Sequence, residues 1–179
     1  MAMAPLGYEI GTPRDHELAD LSGIELAAAA LFPLADLAPN LRQKGLPLSF
    51  FENALSAGRL WVARTVAPAA PVGFAAVLLL DGSAHLHQMD VLPGHGRRGI
   101  GRALVHHVAE WSHASGFDTL TLTTFRHLPW NAPFYASVGF AEITDRNLGP
   151  ELREAMAKEA ENGLDSSKRV AMRLDVRAA

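Results

Sequence analysis

The stretch Val91-Leu-Pro-Gly-His-Gly-Arg-Arg-Gly-Ile-Gly-Arg-Ala-Leu104 constrains this chain more than any other. It follows His85–Val91, an apolar-rich run with strand character, and leads into apolar positions at Ile100, Leu104, Val108 and Trp111, in steps of 4, 4 and 3. That spacing predicts a helix over Gly99–Ser115 with one buried stripe, ended by Gly116. A strand that turns through glycines into a helix leaves the first helical N–H groups without acceptors. Together with the helix dipole they attract an anion. Gly99 and Gly101 let the backbone approach a ligand closely, and Arg97, Arg98 and Arg102 add donors suited to phosphate. A dinucleotide fingerprint is a poor fit, because Leu104 stands where G-x-G-x-x-G needs its third glycine. The Gly-Lys-Ser/Thr ending of a nucleotide-binding phosphate loop is also missing. General anion binding remains, beside the plainer reading of a tight turn with a charged, solvated helix start.

Composition narrows the setting. The chain has 179 residues, 49% hydrophobic and 20% charged, which fits one soluble globular domain spanning residues 1–179. It has no cysteine, which excludes disulfides, a thiolate nucleophile and any Cys-ligated metal, and fits a cytoplasmic location. A net charge of −3 gives no basic footprint for nucleic acid. The longest apolar run, Gly73–Leu80, is too short to span a bilayer. Met1–Pro5 lacks the charged start and apolar core of a signal peptide.

The remaining elements fall around the turn. Tyr8–Gly11 reads as a strand. Pro13–Asp15 turns into a helix carried by Leu18, Leu21, Ile24, Leu26 and Ala30. Leu31–Leu48, interrupted by Pro33, Pro39, Gly45 and Pro47, reads as an irregular loop or short helical pieces. Ser49–Ala57 is a helix with Ser49 as N-cap and Gly58 as its stop. Leu60–Val66 and Val72–Leu80 form a hairpin across Ala67–Pro71, and Asp81-Gly82 marks the next turn. Strands are expected at Thr119–Phe125, Phe140–Thr144 and Arg169–Val176, and helices at Pro133–Val138 and Pro150–Glu161, the last a charged surface helix. Adjacent early strands imply antiparallel pairing, and the strand–helix–strand unit around residues 85–125 implies a parallel crossover. The fold class is a mixed α/β sheet with helices on both faces.

The glycine turn resembles the acyl-CoA-binding motif Q/R-x-x-G-x-G/A of the GNAT superfamily of N-acetyltransferases. Arg97-Arg98-Gly99-Ile100-Gly101 supplies all but its first position, where Gly96 replaces Gln or Arg. Trp130-Asn-Ala-Pro-Phe-Tyr-Ala-Ser-Val-Gly-Phe140 resembles, in shortened form, the family's N-x-x-A-x-x-F-Y-x-x-x-G-F signature. The likeness is most specific over residues 84–140. It implies a mostly antiparallel sheet with a central, splayed parallel strand pair, and acetyl-CoA as co-substrate. It also implies that the backbone of Arg97, Arg98, Gly99, Ile100, Gly101 and Arg102 holds the CoA pyrophosphate. Met89, Asp90 and Val91 would pair with the pantetheine arm, Asn131 would contact it, and Phe134 would pack on it. Without the resemblance, a Phe–Tyr pair at a helix start is more simply core packing.

Aminolysis of a thioester requires an amine proton to be removed, an oxyanion stabilised and a thiolate protonated. His85 and His87 share one face of their strand by the two-residue period. Ser83–Val91 is similar to the matching strand of the arylalkylamine N-acetyltransferase branch. That likeness implies His87 and His85 as a base relay through water, Tyr135 as the acid, and the Met89 amide on the acetyl carbonyl. Gln88 stands where many relatives carry a glutamate base, and Asp90 is a further carboxylate for the task, on the other strand face unless a bulge turns it. Two strand histidines can also be hydrogen-bonded core residues. A His-x-His pair can bind metal, but no third ligand stands at a suitable spacing, so no metal is expected. His106, His107 and His113 read as solvated or packing residues, His16 as surface, and His95 as within reach of a phosphate. His127, in the loop before Pro129, reads as an unsupported candidate for substrate contact.

These readings lead to direct acetyl transfer in a ternary complex, with a small-molecule primary amine as acceptor and neither nucleic acid nor membrane as partner. Acetylation of a peptide or protein amine, and a CoA-binding sensor without catalysis, are the competing readings. Acceptor choice is expected from Leu31–Leu48 and Arg126–Trp130. A homodimer is common in such proteins, with Arg169–Val176 as an expected contact.

Overall fold

The computed structural model describes residues 4–177; the first three residues of the Met1–Pro5 stretch lie outside it. The strands are β1 (Tyr8–Gly11), β2 (Leu60–Val66), β3 (Ala69–Leu80), β4 (Ser83–Val91), β5 (Thr119–Phe125), β6 (Ala141–Glu142) and β7 (Arg169–Asp175). The helices are α1 (Leu18–Ala29), α2 (Pro39–Arg42), α3 (Leu48–Ser56), α4 (Ile100–Ala114), α5 (Ala132–Ser137) and α6 (Pro150–Glu161). The sheet has seven strands in the order β1-β2-β3-β4-β5-β7-β6. It is mostly antiparallel, with a parallel pair in which Ala84–Leu86 of β4 face Leu120–Leu122 of β5. The mixed α/β class and the parallel crossover expected from the sequence are both present.

The chain gathers into two compact units, Met1–Leu78 with His87–Val108, and Leu79–Leu86 with Ala109–Ala179. In the first, α1 buries Leu18, Leu21 and Ile24, and α3 buries Phe51 and Ala54 against Leu60, Val62, Phe74 and Ala76 of β2 and β3. The Phe51 and Phe74 rings meet edge to face, with centroids 5.3 Å apart. Truncating either to alanine removes about 3–5 kcal/mol. Two details differ from the sequence expectation. Ser49 does not cap α3, which starts one residue earlier behind Pro47, whose fixed backbone sets the helix entry. The β2–β3 connection is shorter than Ala67–Pro71, since Val66 already pairs with Ala69. On β3, a Cβ at Gly73 would stand 2.8 Å from the Asp90 carbonyl oxygen, so β3 passes β4 where only hydrogen fits.

At the start of this unit a buried ion pair ties β1, β2 and the entry to α1 together. Arg64 donates from Nε to Glu17 Oε1 at 2.9 Å and from Nη2 to Glu17 Oε2 at 2.7 Å. A further N–H of Arg64 reaches Glu9, and the Arg14 N–H donates to Glu17 at 2.7 Å. Burial pushes the Glu17 carboxyl up, but the Arg64 and Arg14 hydrogen bonds outweigh it and hold the group below the usual range.

In the second unit β5 pairs with β7 over all seven residues, and Leu120 and Leu122 alternate with threonines as a one-sided strand should. Strand β7 lies between β5 and β6 rather than at the sheet edge, and β6 is only two residues long, less than the sequence suggested. The Asp81-Gly82 turn is present with both residues at positive φ, 51° and 70°. It has a second task. The Asp81 carboxylate accepts the Glu151 and Leu152 N–H groups at 2.9 Å each and so caps α6 from a distant turn. A Cβ at Gly149 would lie 2.2 Å from that carboxylate. Helix α6 is therefore less detached than its charge suggests. Its Glu159 also pairs with Arg169, whose guanidinium stacks 4.8 Å from the Phe125 ring centroid.

Candidate active site

The glycine turn is a sharp reversal between β4 and α4. Pro93–His95 form one tight 3-10 turn, Arg97 and Gly99 take positive φ of 58° and 85°, and α4 begins at Ile100. A non-glycine residue in the left-handed region is strained by about 1 kcal/mol, and here it helps to reverse the chain into α4. The first closure of the helix is Ala103 N–H on Gly99 O, which leaves the Ile100 and Gly101 amides without an intrahelical acceptor. Ile100 anchors the turn with a fully buried side chain, while Arg97, Arg98 and Arg102 are exposed. Backbone donors therefore line the turn, and the Arg98 guanidinium is held on it by the Tyr8 hydroxyl and the Gly94 carbonyl.

Beside it, β4 carries three polar side chains with different surroundings. His87 is exposed, and its ring lies against Phe50 of α3 with centroids 5.3 Å apart. Gln88 donates to Asp90 Oδ2 at 2.7 Å. Burial pushes the Asp90 carboxyl up, the Gln88 bond pulls it down, and repulsion from Glu25 on α1 adds to the rise, leaving it at about 7. Glu25 is raised as well, by burial, although its carboxylate accepts the Leu46 N–H at 2.6 Å. Gly45 is pressed against the same helix, where a Cβ would meet Ser22 Oγ at 2.3 Å. Among the described residues no lysine or arginine pairs with Asp90 or Glu25. Leu46, Phe50 and Leu92 supply a partly buried apolar border.

In the other unit, His85 is 2% exposed, and its Nδ1 lies 3.0 Å from the Thr121 hydroxyl. Asn131 starts α5, and its side-chain oxygen accepts from the buried Thr124 hydroxyl at 2.6 Å. Tyr135 is 9% exposed and packs edge-on against Phe134 and Phe140, at 5.1 and 5.6 Å between centroids. The signature segment thus fixes one aromatic cluster and one buried amide. Met89 and Val91 are half-buried on β4.

Sequence reasoning missed Glu25 and Phe50. The lone acid in the otherwise apolar run Gly23–Ala30 was the available signal for Glu25; nothing marked Phe50. Of the other histidines, His16, His106 and His113 are exposed and His107 packs on Trp61, as expected; His127 is exposed with its ring edge toward Phe125. Among the described residues no group of three or more histidine, aspartate or glutamate side chains gathers to hold a metal.

Residues 56–142 match the model of the GNAT acetyltransferase domain. The chain carries a GNAT acetyltransferase domain. The match covers both the glycine turn and the α5 signature, and with the domain comes acetyl-CoA-dependent N-acetyltransferase activity, acting on an amine. Solved structures share the fold. The ribosomal-protein-S18-alanine N-acetyltransferase of Escherichia coli is 22% identical, with 94% of each chain covered and a TM-score of 0.65. A GNAT-family acetyltransferase of Staphylococcus aureus Mu50 is 19% identical over 94% of this chain and 99% of its own, with a TM-score of 0.68. The PaiA N-acetyltransferase of Thermoplasma acidophilum, solved with coenzyme A, is 15% identical over 95% and 99%, with a TM-score of 0.65. Among the described residues no helix of this GNAT chain is long and apolar enough to cross a membrane.

Proposed function

We propose that this chain acetylates a primary amine of a small cytoplasmic molecule by direct attack on acetyl-CoA, with Asp90 taking the amine proton. The observation that carries this reading is the Asp90 carboxyl, half-buried and desolvated beside Gln88 and raised to about 7. A base that titrates near the working pH combines a useful deprotonated fraction with enough basicity. Two carboxylates with no lysine or arginine partner among the described residues, a half-buried phenyl ring and an exposed imidazole suit an ammonium group on an apolar or aromatic frame. The backbone cradle of residues 97–102 binds the pyrophosphate of acetyl-CoA, and the Met89–Val91 backbone runs beside the pantetheine arm. The Met89 amide polarises the acetyl carbonyl. Asn131 and Phe134 contact the arm, and Tyr135 returns a proton to the leaving thiolate. The carbonyl of acetyl-CoA gains the amine nitrogen and loses the sulfur, so no acyl-enzyme forms; the absent cysteine agrees with that.

A second proton route, the His85–His87 relay, is favoured by the Thr121 contact that fixes the His85 ring. The two routes separate in the rate–pH profile. Under the first, the acidic limb near pH 7 is absent in Asp90→Asn and persists in the double variant His85→Gln, His87→Gln; under the second the pattern reverses. The acceptor class is tested by thiol release from acetyl-CoA across aryl- and alkylamines and short peptides with free N-termini. Turnover confined to the peptides would replace the small-molecule reading with a peptide or protein acceptor.

A further inference from the structure

One polar group beside the glycine turn comes from far away in the sequence. Tyr8, at the start of β1, places its hydroxyl 2.9 Å from His95 Nδ1 and 3.2 Å from Arg98 Nη1. The rings of Tyr8 and His95 stand edge to face, with centroids 5.8 Å apart. Arg98 also donates from Nη2 to the Gly94 carbonyl at 3.3 Å. The segment before Tyr8 lies on the same turn, where a Cβ at Gly99 would touch Pro5 at 3.5 Å.

The donor inventory gives this group a direction. A guanidinium only donates, so the Tyr8 oxygen accepts from Arg98. In the tautomer whose Nδ1 is bare, the single hydroxyl hydrogen of Tyr8 goes to His95 Nδ1. That tautomer carries its ring hydrogen on Nε2. Tyr8 therefore holds two groups in fixed poses at the edge of the cradle: a guanidinium clipped to the turn, and an imidazole with Nε2–H available as a donor.

We infer that Tyr8, through His95 and Arg98, is a positioning residue for a phosphate of coenzyme A. The role is separate from the backbone cradle, since it uses side chains from β1 and from the front of the turn. Preorganised donors bind an anion without the cost of ordering flexible side chains on arrival. The inference rests on acetyl-CoA being the donor, and wild-type binding of CoA is the control for that.

The test compares wild type, Tyr8→Phe, His95→Asn and His95→Gln in steady-state kinetics and in calorimetric titration with CoA and with 3′-dephospho-CoA. Asparagine can replace Nδ1 but not Nε2, whereas glutamine reaches the Nε2 position. Tyr8→Phe and His95→Asn should raise KM for acetyl-CoA about 3- to 10-fold, the worth of one ordinary hydrogen bond. Their kcat and KM for the amine should stay unchanged, and His95→Gln should recover part of the loss. A penalty that disappears with dephospho-CoA assigns the 3′-phosphate; one that persists assigns the pyrophosphate. Unchanged acetyl-CoA KM in Tyr8→Phe and His95→Asn, or a parallel fall in kcat, overturns the proposal. Wild-type protein that bound neither nucleotide would fail the donor assignment instead.

Discussion

Two glutamates, one buried and one half-buried, stand eight residues apart at the front of this chain, and they meet opposite fates. Glu17, just before α1, receives a guanidinium fork from Arg64, and its carboxyl is held below the ordinary range. Glu25, two turns on, receives one backbone N–H and lies within electrostatic reach of Asp90, and its carboxyl is raised. Both are desolvated by the same helix layer. The difference is the partner. A buried acid given a cation becomes a fastener, whose removal costs stability. Buried acids left to each other keep a proton that they can exchange, which is the condition for chemistry.

The largest break in this comparison is Asp90→Asn. It should lower kcat about 10³-fold, near the middle of the usual span for a lost general base, while thermal unfolding shows no loss of stability. An unchanged kcat would take Asp90 out of the reaction. Next comes Arg64→Met, which strands Glu17 without its partner and should cost about 3 kcal/mol in urea unfolding. Its kcat at a temperature where it stays folded should match wild type.

A third difference is the sign of the pH response. The folded Asp90 carboxyl titrates at about 7, above its unfolded value near 3.8. The folded state therefore binds the extra proton, and the Asp90 contribution is full below pH ~4 and lost as pH rises through ~7. Glu17 works the other way, because its folded carboxyl is lowered: its contribution is present above its unfolded value and lost as the solution is acidified. Urea midpoints measured from pH 4 to 8 should fall less steeply with pH in Asp90→Asn than in wild type. A smaller effect is expected of Glu25→Gln. Removing the neighbouring charge should move the acidic limb of the rate–pH profile to lower pH, with little change in the plateau rate. A limb that stays in place would mean that Glu25 does not tune Asp90.

The backbone-encoded parts of this molecule were legible in the sequence. The glycine spacing of residues 91–104 announced the cradle, and the Asp81-Gly82 pair announced a turn, because each depends on local dihedral freedom that only certain residues supply. What was not legible comes from side chains that meet across long sequence distances. Nothing near Tyr8 says that it will reach His95, 87 positions away. Nothing near Glu25 says that it will face Asp90. The capping of α6 by Asp81, 70 residues earlier, is of the same kind. Ser49 looked like a cap by type and was displaced by Pro47, whose ring sets the helix entry regardless of the hydroxyl that follows.

The tight passage at Gly73 has a consequence for how this sequence can drift. Any Cβ there would press on the Asp90 carbonyl at 2.8 Å and on the Val91 side chain at 3.1 Å. In a library covering every single substitution and selected for acetyl transfer, position 73 would be as intolerant as a reacting group while contributing no side chain at all. Descendants of this chain would keep one hydrogen atom fixed against the Asp90 backbone.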